Sequence, residues 1–176
     1  PLWVEASATG FDYDGNHKMG GYEHDASIFN MGYQIELEFG QAGFLAGYSE
    51  GDIRSDQLSF EDEIQSYYMG AYYRFPIQSL NMTTSILIGR EEHKQQRFSL
   101  NNLSGYEKAE ATPDSYFISP SVSIDWIIPV TERFSLIPSG TLSYTLSRIE
   151  SYGESGAASN LSVDERFLHI GNFQSE

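Results

Sequence analysis

The stretch LIPSGTLSYTLS, residues 136–147, alternates almost without a break. Leu136, Pro138, Leu142, Tyr144 and Leu146 fall on one parity, and Ser139, Thr141, Ser143, Thr145 and Ser147 on the other. A period of two is the signature of a β-strand, because successive side chains point to opposite faces. No charge interrupts the run, so its polar face is built from hydroxyls rather than from Lys, Glu and Arg.

The same pattern recurs along the chain. In SIFNMGYQIELEF (27–39), Phe29, Met31, Tyr33, Ile35, Leu37 and Phe39 oppose Asn30, Gly32, Gln34, Glu36 and Glu38. QSYYMGAYYRF (65–75), LNMTTSILIG (80–89) and YFISPSVSIDWII (116–128) repeat it, and 2–14, 42–50 and 165–173 are extended in character. This predicts eight strands and no helix. The connections alternate in length. Long polar loops are expected at 15–25, 51–63, 93–114 and 150–164, and tight turns at 40–41, 76–79 and 130–133. In an antiparallel meander, alternate connections lie at opposite ends, so all the long loops share one end. Outer-membrane barrels have this asymmetry.

The apolar parity runs for about the ten residues that a tilted strand needs to cross a bilayer. The expected fold is therefore all-β: an antiparallel up-and-down meander forming a transmembrane β-barrel. Phe29, Tyr33, Ile35, Leu37, Ile86, Ile124, Trp126, Leu142 and Tyr144 are assigned to lipid, with Ile124 at the midplane. Glu5, Gln34, Glu36, Arg74, Ser121, Ser123, Asp125 and Ser143 are assigned to the lumen. A soluble ligand-binding barrel is the alternative, since half-buried soluble sheets alternate too. Pro120 and Pro138 sit within strand patterns and are expected to mark bulges. The inward parity is rich in Ser and Thr and is expected to be too small to fill a closed eight-stranded barrel.

Composition excludes other classes. Ten Lys plus Arg against 25 Asp plus Glu give little from which to build a basic face for nucleic acid. There is no cysteine, hence no disulfide or thiolate site. No apolar run is long enough for a transmembrane helix. Catalytic, cofactor and metal sites are not expected. His17 and His24 share a loop with Asp12, Asp14, Glu23 and Asp25 but have no ligand spacing. The acidic residues Asp52, Asp56, Glu61, Asp62 and Glu63 lack a calcium-loop register. Glycosidase-like carboxylate pairs can be drawn from Glu36, Glu38 and Asp125, but these residues serve equally as lumen lining.

The ordered segments WVEASATGFDYDG (3–15), GYEHDASIFNMGYQIEL (21–37), AGFLAGYSEGD (42–52), DEIQSYYMGAYYRF (62–75), DSYFISPSVSIDW (114–126), ERFSLIPSGTLSYTL (132–146) and SGAASNLSVDERFLHIG (155–171) together resemble the β-domain of autotransporters, the type V secretion translocators. The resemblance implies a twelve-stranded barrel in the bacterial outer membrane. It also implies an upstream passenger, a linker segment in the pore and the outer-membrane insertion machinery as partners. It implies export and display of the passenger rather than catalysis. On this reading residues 1–176 hold the first eight strands of the domain, incomplete at the C-terminus, since Phe173 is not a terminal aromatic. A complete eight-stranded outer-membrane barrel with a structural or adhesive role is the other possibility.

Overall fold

The computed structural model describes residues 1–13, 22–55, 60–101, 105–131 and 134–175. These form β1 (Leu2–Tyr13), β2 (Tyr22–Leu37), β3 (Gly40–Ser55), β4 (Phe60–Ile77), β5 (Leu80–Asn101), β6 (Gly105–Ala111), β7 (Asp114–Trp126), β8 (Ile128–Thr131), β9 (Phe134–Leu136), β10 (Ser139–Ile149), β11 (Tyr152–Gly153), β12 (Ser162–Val163) and β13 (Arg166–Ser175). Eight long strands make one antiparallel sheet in the order β1-β2-β3-β4-β5-β7-β10-β13, and β6 pairs with Gln95–Asn101 of β5, past the end of the β5–β7 ladder. Those eight are the segments that the sequence marks as strands, five by alternation and 2–14, 42–50 and 165–173 by their extended character. No ladder joins β1 to β13 among the described residues.

The register puts every apolar parity on one face. Met69 opposes Ala46 and Ile88, Ile88 opposes Ile118, and Ile118 opposes Leu146. That face is not packed against a second layer. Ile35, Ile124 and Leu142 are 40%, 43% and 61% exposed, and Ala109, Ala111 and Ile149 are the buried apolar residues among those described. A water-soluble domain of this length would bury a substantial core. This sheet keeps its large apolar groups on the outside.

The apolar face has two ends. At one, a row crosses the sheet as Phe29, Tyr48, Tyr67, Arg90, Tyr116, Arg148 and Phe167, each opposite the next. Tyr48 and Tyr67 meet with ring centroids 5.2 Å apart. At the other end stand Phe75, Ile77, Leu80 and Trp126, and Tyr73 stacks on Phe75 at 5.3 Å. Ten steps of β5 separate Leu80 from Arg90. At about 3.3 Å per residue and a tilt near 40°, they span ~25 Å, the height of a barrel's apolar band. The midplane of that band falls at Ile86 and its neighbours. Ile124, two residues from Trp126 and opposite Met82, lies nearer the band's edge than its centre, which corrects its assignment to the midplane.

The connections keep their alternation but are more ordered than expected. The turn after β2 is Glu38–Phe39, two residues earlier than the sequence suggested, with Gly40 at φ 128° opening β3. Beyond the row at Arg90 the strands run on. β3 reaches Ser55 and β4 starts at Phe60, so most of the expected loop 51–63 is strand. Residues 93–114, expected as a loop, are mostly the β5–β6 hairpin. Residues 150–164 carry the small β11–β12 pair. Pro120 causes no bulge. It faces Ile86 in the β5 ladder, and on its other side the β7–β10 register continues unshifted from Ser121–Ser143 to Ile118–Leu146. The hydroxyls of Ser119 and Thr145, 2.8 Å apart, bridge the gap its missing N–H leaves. Pro138 precedes β10, and its carbonyl accepts from Trp126 N at 2.9 Å.

Candidate functional site

The polar parity forms the opposite face of the sheet, and it is the candidate site. Glu36, Gln41, Arg74, Thr83, Ser123 and Thr141 stand in one row across six strands. Gln34, Gly43, Tyr72, Ser85, Ser121 and Ser143 form the next row, and Glu5 and Asn30 lie beyond it. Asp125 sits between Asn81 and Ser139 at the tight-turn end. The eight residues assigned to the lumen from sequence thus share one face, and the nine assigned to lipid share the other. Their small side chains bond to one another: Ser85 to Ser121 at 2.7 Å, Ser123 to Thr141 at 2.9 Å, and Arg74 Nε to Thr83 at 3.2 Å.

The polar face is not uniformly small, contrary to expectation. Tyr68 of β4 lies over Gly47 of β3 and donates to Asn30 Oδ1 on β2 at 2.7 Å. Four residues along, Tyr72 lies over Gly43 and donates to Gln34 Oε1 at 2.9 Å. Trp3 covers Gly32, Leu87 covers Gly70 and Phe117 covers Gly89 in the same way, each directly across the ladder. A Cβ on Gly47 would meet the Tyr68 ring at 2.3 Å. Gly47→Ala is therefore expected to lift the ring, break its bond to Asn30 and cost about 1–3 kcal/mol. Gly171→Ala, with open space around it, should be nearly silent. Urea unfolding of both variants reconstituted in vesicles checks this.

Above the row at Arg90, the polar face carries a clasp that spacing does not reveal. Asp62, Glu91, His93 and Ser115 come from β4, β5 and β7. His93 Nδ1 is 3.1 Å from Asp62 Oδ2, and its Nε2 is 3.3 Å from Ser115 Oγ. Ser115 Oγ donates to Glu91 Oε2 at 2.7 Å, and Gln95 also donates to Asp62. Burial alone would lower the imidazole pKa, but the flanking Asp62 and Glu91 carboxylates outweigh it and push it up to about 9. The hydrogen bond from His93 holds the Glu91 carboxyl below its usual range. The membership is that of a Ser–His–Asp triad, but the protons run the other way. An imidazolium cannot accept the serine proton, and that proton is committed to Glu91. Ser115 is also fully buried. This is an ionic clasp between three strands. Glu91 and His93, two apart and so on one face, were the one sequence signal for it.

The other candidate chemistry falls elsewhere. His24 Nδ1 lies 3.2 Å from the Asp52 carbonyl, and His169 pairs with the Tyr144 hydroxyl at 2.6 Å. His17, Asp14 and Asp56 lie outside the described residues. Among the described residues no three His, Asp or Glu are grouped to hold a metal. Glu36 and Asp125 are four strand spacings apart, ~19 Å along the sheet, too far for a glycosidase pair.

A search of curated protein sequences finds no match. Among solved structures, the translocator domain of the autotransporter NalP from Neisseria meningitidis is similar, with a TM-score of 0.78 at 16% identity over 99% of this chain. The chain spans 58% of the length of that NalP chain. The β-domain of the Bordetella autotransporter BrkA aligns with a TM-score of 0.41 at 11% identity, over 99% of this chain and 94% of that one. The family model for the autotransporter β-domain matches residues 2–169. The chain therefore belongs to the autotransporter β-domain family, whose members are outer-membrane β-barrels of Gram-negative bacteria.

Proposed function

We propose that the chain supplies wall of an outer-membrane pore that anchors an upstream passenger and takes part in its export. The observation that carries this is the pair of faces: a continuous hydroxyl- and amide-rich face, and an exposed apolar face ~25 Å tall between two aromatic rows. In this reading Glu5, Gln34, Glu36, Arg74, Ser121, Ser123, Asp125 and Ser143 line a wet lumen that offers an extended chain weak, exchangeable hydrogen bonds. Phe29, Tyr33, Ile35, Leu37, Ile86, Ile124, Trp126, Leu142 and Tyr144 meet lipid. The role is transport rather than catalysis.

Among the described residues β1 and β13 each have an edge with no ladder partner, and an open edge in hydrocarbon costs several kcal/mol per unsatisfied backbone group. We take these edges to be paired by further strands of the same domain, with the passenger's linker inside the closed barrel and the insertion machinery delivering it. The test is surface protease shaving of intact cells producing the full-length protein with and without residues 2–169. Loss of protease-accessible passenger on deletion is expected. Undiminished display without them would overturn the role.

A further inference from the structure

The aromatic row at the long-connection end of the apolar face is interrupted by two arginines. Arg90 and Arg148 stand on either side of Tyr116, and each is its ladder partner. They are two strand spacings apart, ~10 Å. Both guanidiniums lie within electrostatic reach of the Tyr116 phenol. Long connections mark the outer side of such a barrel, so this row lies at the depth of the outer leaflet's headgroups. A groove of about 480 Å³ brings together Tyr67, Met69, Ile88, Arg90 and Tyr116, all of the apolar parity. Met69 and Ile88 are one row nearer the midplane than Arg90, so the groove is apolar toward hydrocarbon and cationic toward the headgroups.

The partners of the two arginines stand one row further from the membrane. Arg90 Nη2 is 2.9 Å from Asp114 Oδ2, its Nη1 is 3.2 Å from Glu92 Oε1, and Arg148 Nη2 is 2.6 Å from Glu165 Oε2. Glu92 and Asp114 face each other in the ladder, Glu150 N donates to the Asp114 carbonyl at 3.0 Å, and Glu165 comes two residues before Phe167. These carboxylates draw both guanidiniums outward, as long cationic side chains are drawn at an interface. A guanidinium carries five N–H donors, and the ion pairs use only some of them. The two arginine side chains stay 45% and 51% exposed, so a further acceptor can reach them.

We propose that Arg90, Tyr116 and Arg148 bind the phosphate of a phosphorylated lipid of the outer leaflet, with an acyl chain of that lipid lying along Met69 and Ile88. This rests on the reading above that the apolar face meets lipid. Arginine takes phosphate oxygens two at a time, and two arginines with a phenol hydroxyl between them complement its charge. Glu92, Asp114, Glu150 and Glu165 outnumber the two cations, so phosphate dissolved in water is not held there. A lipid differs because its chains already seat it against the face. Only the headgroup then has to be placed, at a high effective concentration.

The test is native mass spectrometry of the full-length protein in detergent, titrated with lipid A and with lipid A stripped of its phosphates. The parent should prefer the phosphorylated form on the order of ten-fold, and Arg90→Gln/Arg148→Gln should lose that preference. Arg54→Gln, an exposed arginine past the membrane, should keep it. Heat-modified gel mobility verifies folding, and Arg148→Gln alone gives the same reading with a smaller loss should the double variant not fold. Millimolar inorganic phosphate should displace nothing, and displacement would overturn the lipid as the source. A preference that survives in the folded arginine variants, or that a chelator abolishes in parent and variants alike, would overturn the arginine site. Recovery of the parent from cells in plain buffer, free of lipid, would instead overturn the membrane face beneath it.

Discussion

Ile86→Arg is expected to destabilise the barrel by about 2–4 kcal/mol, because it places a guanidinium at the middle of the apolar band. Ile86 opposes Ala71 and Pro120 and is 44% exposed, so nothing in the protein would receive the new charge. Ser85→Arg, one residue away on the opposite face, should cost much less, chiefly its bond to Ser121. Ile124→Arg, near the band's edge, should fall near 0–1 kcal/mol. Urea-dependent refolding in vesicles ranks the three. Equal losses for Ile86→Arg and Ser85→Arg would mean that neither face meets hydrocarbon.

The second large effect is a pH dependence set by the clasp. The His93 pKa is about 9 in the folded chain against 6.5 ordinarily. A group whose folded pKa is raised contributes stability that is complete below its unfolded pKa and is lost as pH climbs through the folded one. Between about pH 6.5 and 9 the protein should therefore lose ~3 kcal/mol through this residue. The loss is concentrated where β4, β5 and β7 extend past the membrane. Glu91 acts in the other direction. Its lowered pKa gives stability that is present above about 4.5 and is lost as pH falls below that. His93→Gln should flatten the alkaline limb and also shrink the acid limb, because His93 is the main cause of the lowered Glu91 pKa and the bond from Ser115 is a lesser one. Stability curves for parent and variant from about pH 3 to 10 decide it, and superimposable alkaline limbs would remove His93 as the cause.

Alternation made the membrane-crossing parts of five strands legible, and with them both faces, while the other three read only as extended. It works there because one face is held to apolar groups by its surroundings while the other is free to be polar. Past Arg90 that constraint ends. Glu92, Lys94 and Gln96 occupy the apolar parity while Glu91, His93 and Gln95 occupy the other. With both faces polar the period vanishes, and residues that ladder pairing holds in β5 read as loop. The β11–β12 pair was hidden for a related reason: its anchors lie on another hairpin, Arg97 being 57 residues from Glu154. The clasp draws on Asp62, Glu91, His93 and Ser115, which no fixed spacing unites. Asp62 Oδ1 stays buried with no hydrogen-bond partner among the described residues, so the clasp is not fully satisfied. The cover of glycines by rings was half visible. Gly43 and Gly47 share a parity, as do Tyr68 and Tyr72, but only the register brings each ring onto its glycine.

Tyr68 and Tyr72 are laid along the wall like panelling, each phenol spanning a strand and fastened at its far end. In the proposed pore a tyrosine standing upright would take several ångströms from the bore, and one lying flat takes little more than the thickness of its ring. Bulk that would otherwise choke the conduit becomes cladding that stiffens three staves at once. Width and rigidity, usually in competition in a thin-walled tube, are here supplied by the same two side chains.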